Sequence, residues 1–315
     1  MAHYLDPKND YAFKRVFGEH KHLCMSLINS LLPLENPVVD IEYQTGELIP
    51  ELPDLRNSIV DVRCTDTNGR QFIVEMQMYW TESFKSRVLL NASKAYIKQL
   101  DKTEEFKLLQ PVYALNFVND IFEKSPEKAN EYYHHYKIVN IKDTEKQIEG
   151  LEFIFIELPK FKPQNRAEQK LYDLWLRFLT EINGRTEVVP QELIENELIR
   201  EALAYMEISA YTKGQLEVYD KYRDVIMTER SFISDAFEEG EAKGMKKGMR
   251  RGMEKGMKKG IEEGIKKGET ETLERIVVES KRNNLSIEQI ELFTKLTKTQ
   301  IIEILKRQEE NHLLA

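Results

Sequence analysis

Asp61 stands between Val60 and Val62, and Glu75 stands between Val74 and Met76, with Gln77 two residues further on. A carboxylate set among valines is costly to bury unless something binds it. Two such carboxylates on neighbouring strands would also repel each other. A divalent cation removes both penalties, because hard cations favour oxygen ligands. The same pattern also fits an ordinary solvated strand face, with Asp61, Arg63, Glu75 and Gln77 turned to water.

The elements that must position these residues are two strand-like runs, 58–64 and 71–78. Between them lies Thr65-Asp66-Thr67-Asn68-Gly69-Arg70, and its Asn-Gly pair is a strong hairpin signal. Side chains alternate along a strand, so Glu75 and Gln77 share a face. Two registers are open. A three-residue loop at Thr67-Asn68-Gly69 pairs Asp66 with Arg70, puts Asp61 opposite Glu75, and gives Gly69 the left-handed position. A two-residue Asn68-Gly69 turn instead pairs Asp61 with Met76 and sends Asp61 to the other face. The cation reading needs the first register, or a bulge.

Around this hairpin the chain alternates. Phe13, Val16 and Phe17 recur at helical spacing after a cap at Asp6 or Asn9. A second helical stretch, 23–32, stops before Pro33, and a connector with Pro33, Pro37, Pro50 and Pro53 follows. After the hairpin come a helix over 83–100 and strand-like segments at 111–119 and 151–158. This order predicts a mixed α/β domain with a small sheet. Residues 167–237 read as helical, with Leu171, Leu174, Trp175, Phe178 and Leu179 on one face. On the 83–100 helix, Arg87, Asn91, Lys94 and Lys98 share a face that fits either a DNA backbone or plain solvent. The histidines, including the adjacent His134 and His135, show no metal spacing.

Residues 240–268 repeat with period four: Gly at 240, 244, 248, 252, 256, 260, 264 and 268, and Met or Ile after it at 245, 249, 253, 257, 261 and 265. Four residues overshoot a 3.6-residue turn, so both stripes precess around a helix. Each Gly costs about 1 kcal/mol of helix propensity against Ala. The segment is therefore either a self-association helix that uses the glycines for close approach or a solvated flexible arm. The charged residues in its tetrads exclude a membrane setting. The tail predicts two short amphipathic helices opened by Ser or Thr, a layout shared by helix-turn-helix units and by other three-helix packings.

Composition bounds the rest. The chain has 315 residues, 41% hydrophobic and 32% charged, too apolar for disorder and too charged for a membrane protein. No apolar run approaches the ~18 residues of a transmembrane helix. The N-terminus lacks the basic-then-apolar layout of a secretory signal. Two cysteines, Cys24 and Cys64, with no C-x-x-C, exclude a disulfide scaffold and fit a reducing, cytoplasmic setting. Net charge is −8, yet residues 240–268 carry +6, which leaves −14 on the remainder. The total does not suggest a nucleic-acid binder, although the distribution is uneven.

Certain residues together resemble a known family. They are Asp10-Tyr11-Ala12-Phe13-Lys14, Asp61-Val62-Arg63-Cys64-Thr65-Asp66 with Gly69, Val74-Glu75-Met76-Gln77, and then Arg87 and Tyr96. The order resembles the recombination-promoting nucleases, a transposase-like family of the PD-(D/E)XK nuclease superfamily. Pro53-Asp54 is a decoy in the connector, and Val60 replaces the superfamily's Pro. The resemblance covers residues 1–165 best. It implies a PD-(D/E)XK core over 1–165; the chain pattern then divides into a helical region over 166–239, the repeat over 240–268 and a helical tail over 269–315.

The resemblance further implies a Mg²⁺-dependent (or other divalent-dependent) DNA endonuclease linked to recombination or a transposase-like process. Asp61, Glu75 and the Met76 carbonyl would hold the metal. Gln77, where the superfamily usually has Lys, would orient water but cannot act as a base. Asp10 would add to the metal site, or else simply serves the first turn of its helix. Arg87, where the family pattern carries an Arg, would meet DNA, and the helix face adds Lys94 and Lys98 and the first helix adds Lys14 to the expected DNA contacts. The partner implied is DNA; the Gly repeat by itself adds the expectation of further copies of the chain, with no membrane. The alternative is a catalytically silent DNA-binding or oligomeric interaction protein on the same fold.

Overall fold

A computed structural model describes residues 3–48, 58–99, 105–163 and 170–313. The expected connector residues Pro50, Pro53 and Asp54 lie outside these, as do the margins of two expected helices at Leu100 and at 167–169.

The chain opens with helices α1 (Asp10–Glu19) and α2 (Lys21–Leu31). Asn9 caps α1, its side chain accepting from the Tyr11 amide at 3.0 Å. Strands β1 (Ile41–Tyr43), β2 (Glu47–Leu48), β3 (Ser58–Ile59), β4 (Val62–Asp66) and β5 (Gln71–Gln77) follow. Then come α3 (Glu82–Ile97), β6 (Val112–Val118), β7 (Tyr133–Asn140) and β8 (Asp143–Glu157). The main sheet has the order β1-β4-β5-β6-β8-β7, and β2 and β3 form a separate pair. Strands β5, β6 and β8 run parallel, while β1, β4 and β7 join antiparallel. The crossover from β5 to β6 carries α3, as a parallel connection requires.

Both sheet faces are covered. On one, Val62, Cys64, Phe72, Val74, Leu115, Phe117, Ile154 and Ile156 pack in one core with α1, α2 and the helices α4 (Leu171–Glu181) and α6 (Glu197–Met206). On the other, Phe84, Val88, Ala92 and Ala95 of α3 lie over Ile73, Val112, Ala114, Val118 and Phe155. The alternation along each strand sends Glu75 to the α3 face. Between α4 and α6 lies the short α5 (Gln191–Glu195).

Two differences from the sequence expectations have physical reasons. The run 58–64 is broken at Val60-Asp61, because residues 58–59 leave the main sheet to pair with β2. The expected strand at 151–158 is the second half of the longer β8, paired with β7. That hairpin's outer residues are mostly exposed, and its apolar residues, among them Ile138, Val139 and Ile148, are mixed with charged ones rather than buried.

Helix α7 (Lys213–Arg282) runs without a break through the Gly repeat. It crosses the division of the chain into two units, 1–231 and 232–315. Within the second unit, Val277 of α7 packs with Ile290 of α8 (Ile287–Thr294) and Ile301 of α9 (Lys298–Leu313). Ser286 and Gln289 form a full capping box at the start of α8. Among the described residues no helix is long and apolar enough to cross a membrane.

Candidate active site

The hairpin adopts the three-residue loop. The Asp66 amide donates to the Arg70 carbonyl at 3.0 Å, and the Gly69 amide donates to the Asp66 carbonyl at 3.0 Å. Gly69 has φ +82°, a region where a side chain is strained. The buried Asp66 carboxylate holds the loop, accepting from the Asn68 amide, the Arg70 amide and Arg70 Nε at 3.0, 2.9 and 2.7 Å. The ladder runs from Thr65–Gln71 to Val62–Val74 and ends there, so Asp61 and Glu75 are the residues just beyond its last pair.

Asp61 sits at the bend before β4. Its Oδ2 accepts from the Met76 amide at 2.8 Å, so a carboxylate stands where a ladder carbonyl would. Its Oδ1 lies 3.1 Å from Lys14 Nζ, which also reaches Asp10 Oδ2 at 2.9 Å. Asp10, Lys14 and Asp61 thus come together although they lie far apart in sequence. Burial pushes the Asp61 carboxyl up to about 8, and neighbouring Asp10 adds to this; Lys14 and the Met76 amide oppose it. For Lys14, burial acts to lower its pKa, but Asp61 and Asp10 outweigh that and raise it.

Glu75 is buried on the α3 face. Its Oε1 accepts from Asn91 Nδ2 at 3.1 Å, and its Oε2 lies 3.9 Å from Arg87 Nη2. Burial raises its pKa, and Arg87 and Asn91 oppose the shift. Arg87 also donates to Gln77 Oε1, while Gln77 Nε2 donates to the Tyr79 carbonyl at 2.9 Å. Gln77 is therefore held at both ends of its amide, with one lone pair and one N–H left over.

The face proposed for DNA on α3 does not stay one surface. Asn91 is buried against Glu75 and Arg87 leans toward Gln77, while Lys94 is half-buried and Lys98 is exposed at the helix end. Sequence reasoning placed Asn91 on that face and missed its role as the partner of Glu75. Its i+4 spacing from Arg87 was the available signal.

The donors here are oxygens: Asp61, Glu75, the Met76 carbonyl and Asn91 Oδ1, a buried atom with no hydrogen-bond partner. That set suits a hard cation, and Mg²⁺ is ordinarily held by one or two carboxylates with several waters. Among the described residues, no three His, Cys, Asp or Glu side chains converge as a cage. The Asp61 oxygens face an ammonium and an amide, so a cation entering here would compete with Lys14.

A mixed sheet with helices on both faces, an antiparallel hairpin leading into parallel strands, and an acidic residue on each arm of that hairpin define an α/β core of the PD-(D/E)XK type. The family description that matches is PD-(D/E)XK nuclease family transposase, over residues 7–236, and the chain belongs to that family. Comparisons with curated proteins and with solved structures found no match.

Proposed function

We propose that the protein is a divalent-metal-dependent DNA endonuclease that hydrolyses phosphodiester bonds in recombination or a transposase-like process. The observation that supports this reading is the Asp61 carboxylate on the Met76 amide, next in the chain to Glu75, with Lys14 against Asp61. Asp61, Glu75 and the Met76 carbonyl would hold Mg²⁺, with Asp10 beside them. When bound, the ion supplies Lewis acidity toward the scissile phosphate and lowers the pKa of a water. Lys14 supplies the positive charge that Gln77 lacks, and Gln77, fixed by Arg87 and the Tyr79 carbonyl, orients water through its remaining amide valences. Arg87, half exposed, is placed to meet a phosphate, with Lys94 and Lys98 further along the same helix.

Nicking of supercoiled plasmid tests the reading. Wild type is expected to nick with Mg²⁺ and not with EDTA, and Asp61→Ala is expected not to nick. Equal nicking by both would falsify the carboxylate assignment.

The Asp61–Lys14 ion pair favours a second reading, in which the built-in ammonium replaces the metal and the fold is a silent binding or assembly module. No nicking under any divalent cation, with DNA binding retained, would favour it.

Self-association through the repeat belongs to the same proposal. The Met and Ile stripe, 245 to 265, is exposed, and nothing packs on the repeat glycines. At about 1 kcal/mol per Gly, a helix this rich in Gly needs support from outside itself. A second copy crossing on the small-residue stripe would supply it. Light scattering of full-length protein against residues 1–239 is expected to give a larger oligomer for the full chain; equal oligomer numbers would count against it.

A further inference from the structure

A polar cleft of about 1160 Å³ opens beside the candidate active site, within the first unit. Its floor is the end of β5 and β6: Tyr79 lies two residues beyond Gln77, and the Asn119 amide donates to the Gln77 carbonyl at 2.8 Å. Crevices at the carboxyl ends of parallel strands are where α/β sheets bind ligands. The volume exceeds the roughly 300–1,000 Å³ of small-molecule sites.

Its charge is opposite to that of the chain. Lys8, Arg185, Arg223 and Arg230 line it against Asp6 and Asp224, a surplus of two positive charges on a protein of net charge −8. Two of the cations are already engaged: Lys8 with Asp6 at 2.9 Å and the Leu179 carbonyl at 3.0 Å, and Arg223 with Asp220 at 3.1 Å. Arg185 and Arg230 are exposed and have no ion pair among the described residues. They come from different elements, the loop after α4 and the first part of α7, so the sequence gives no basic run to announce them. The half-buried Tyr79 adds a ring to the same walls.

Resting on the nuclease reading above, the geometry points to this cleft as the site that takes a single strand of DNA next to the bond to be cut. Arg185 and Arg230 meet successive phosphates, and a base stacks on Tyr79. A positively charged groove with an aromatic platform is how single strands are held without base readout. Stacking a base on Tyr79 requires that base to be unpaired, which favours a single strand over a duplex. The strand then enters unpaired, as at a frayed end or an overhang.

The test is fluorescence anisotropy with a labelled single-stranded oligonucleotide, full-length protein and EDTA, over a salt series. Arg185→Ala/Arg230→Ala is expected to bind at least about tenfold more weakly. Its log-affinity against log-salt slope should shrink by about 1.4, as two lost phosphate contacts require. Arg185→Lys/Arg230→Lys should keep the slope, which separates charge from folding. Tyr79→Ala should weaken binding while Tyr79→Phe does not. Double-Ala binding with wild-type affinity and slope overturns the proposal, as does tighter binding of a blunt duplex than of the strand. Because no metal is present, the outcome is independent of the chemistry. Plasmid nicking with normal binding by the double variant removes the cleft and leaves the nuclease. Lost binding by that variant, with no nicking by wild type, does the reverse.

Discussion

Lys14 Nζ lies 3.1 Å from Oδ1 of Asp61, joining the first helix of the chain to the bend that opens the central hairpin. The same ammonium is 2.9 Å from Asp10, so one cation serves two carboxylates. On the proposed metal reading, Lys14 would both stabilise the metal-free site and compete with an entering ion.

Replacing Lys14 by Met leaves the Asp61 carboxylate beside Asp10 without a counter-charge once the pH exceeds about 8, so the variant is compared with wild type at about pH 8.5. The expected cost is about 1–2 kcal/mol in the metal-free protein, below the 3–5 kcal/mol of a fully buried pair because the site is partly solvated. Magnesium should restore more stability to this variant than to wild type. Urea melts with EDTA and with Mg²⁺ check it; a smaller Mg²⁺ effect in the variant would show that Lys14 does not compete.

Asp61 has a carboxyl pushed from 3.8 up to about 8 by burial and by Asp10. An acid with a higher pKa folded than unfolded binds more protons in the folded state. Its contribution to stability is therefore present at low pH and lost as pH rises from about 4 to about 8. The raised pKa of Glu75 acts in the same direction. The melting temperature of metal-free wild type should fall between pH 5 and 8, and Asp61→Asn should flatten the fall. An unchanged slope in Asp61→Asn would remove Asp61 as the source.

Gln77→Lys puts a second cation beside Arg87, which now donates to the Gln77 side chain. The superfamily's usual lysine should therefore not speed this protein up. With Lys14 already at the site, the expected result is plasmid nicking about tenfold or more slower than wild type. A faster variant would mean that Lys14 does not fill the lysine's place.

The fully buried Glu157 accepts from the Phe122 and Glu123 amides, from His134 Nε2 at 2.9 Å and from Lys160 Nζ at 2.7 Å. Lys160 also donates to the Glu123, Lys128 and Glu131 carbonyls, so it holds the loop between β6 and β7. Lys160→Met strands a buried carboxylate and should cost about 3–5 kcal/mol in urea unfolding. A cost under 1 kcal/mol would mean the network is solvated.

Gly252→Leu/Gly256→Leu in the full chain should keep the helix, since Leu is the better helix former. If the glycines admit a second copy, the variant should lose mass by light scattering while its helical circular dichroism holds or rises. Unchanged mass would show that assembly does not use this stripe.

The alternating valines around Asp61 and Glu75, the Asn-Gly turn and the amphipathic helices made the α/β layout readable from the chain alone. These are local patterns, set by periodicity and turn chemistry over a few residues. The choice between the two hairpin registers was not local. It rests on Asp66 gathering the loop amides and on the sheet's need to keep Val62 and Val74 on the core face. Strand β7 escaped notice because its apolar residues Tyr136, Ile138 and Val139 stay exposed among polar neighbours and bury no face. Asn91 could not be assigned to Glu75, nor Lys14 to Asp61, because those pairs span 16 and 47 positions and only the folded chain brings them together. The basic cleft follows the same rule: Arg185 and Arg230, without an ion pair among the described residues, come from separate elements, so their shared field exists only in three dimensions.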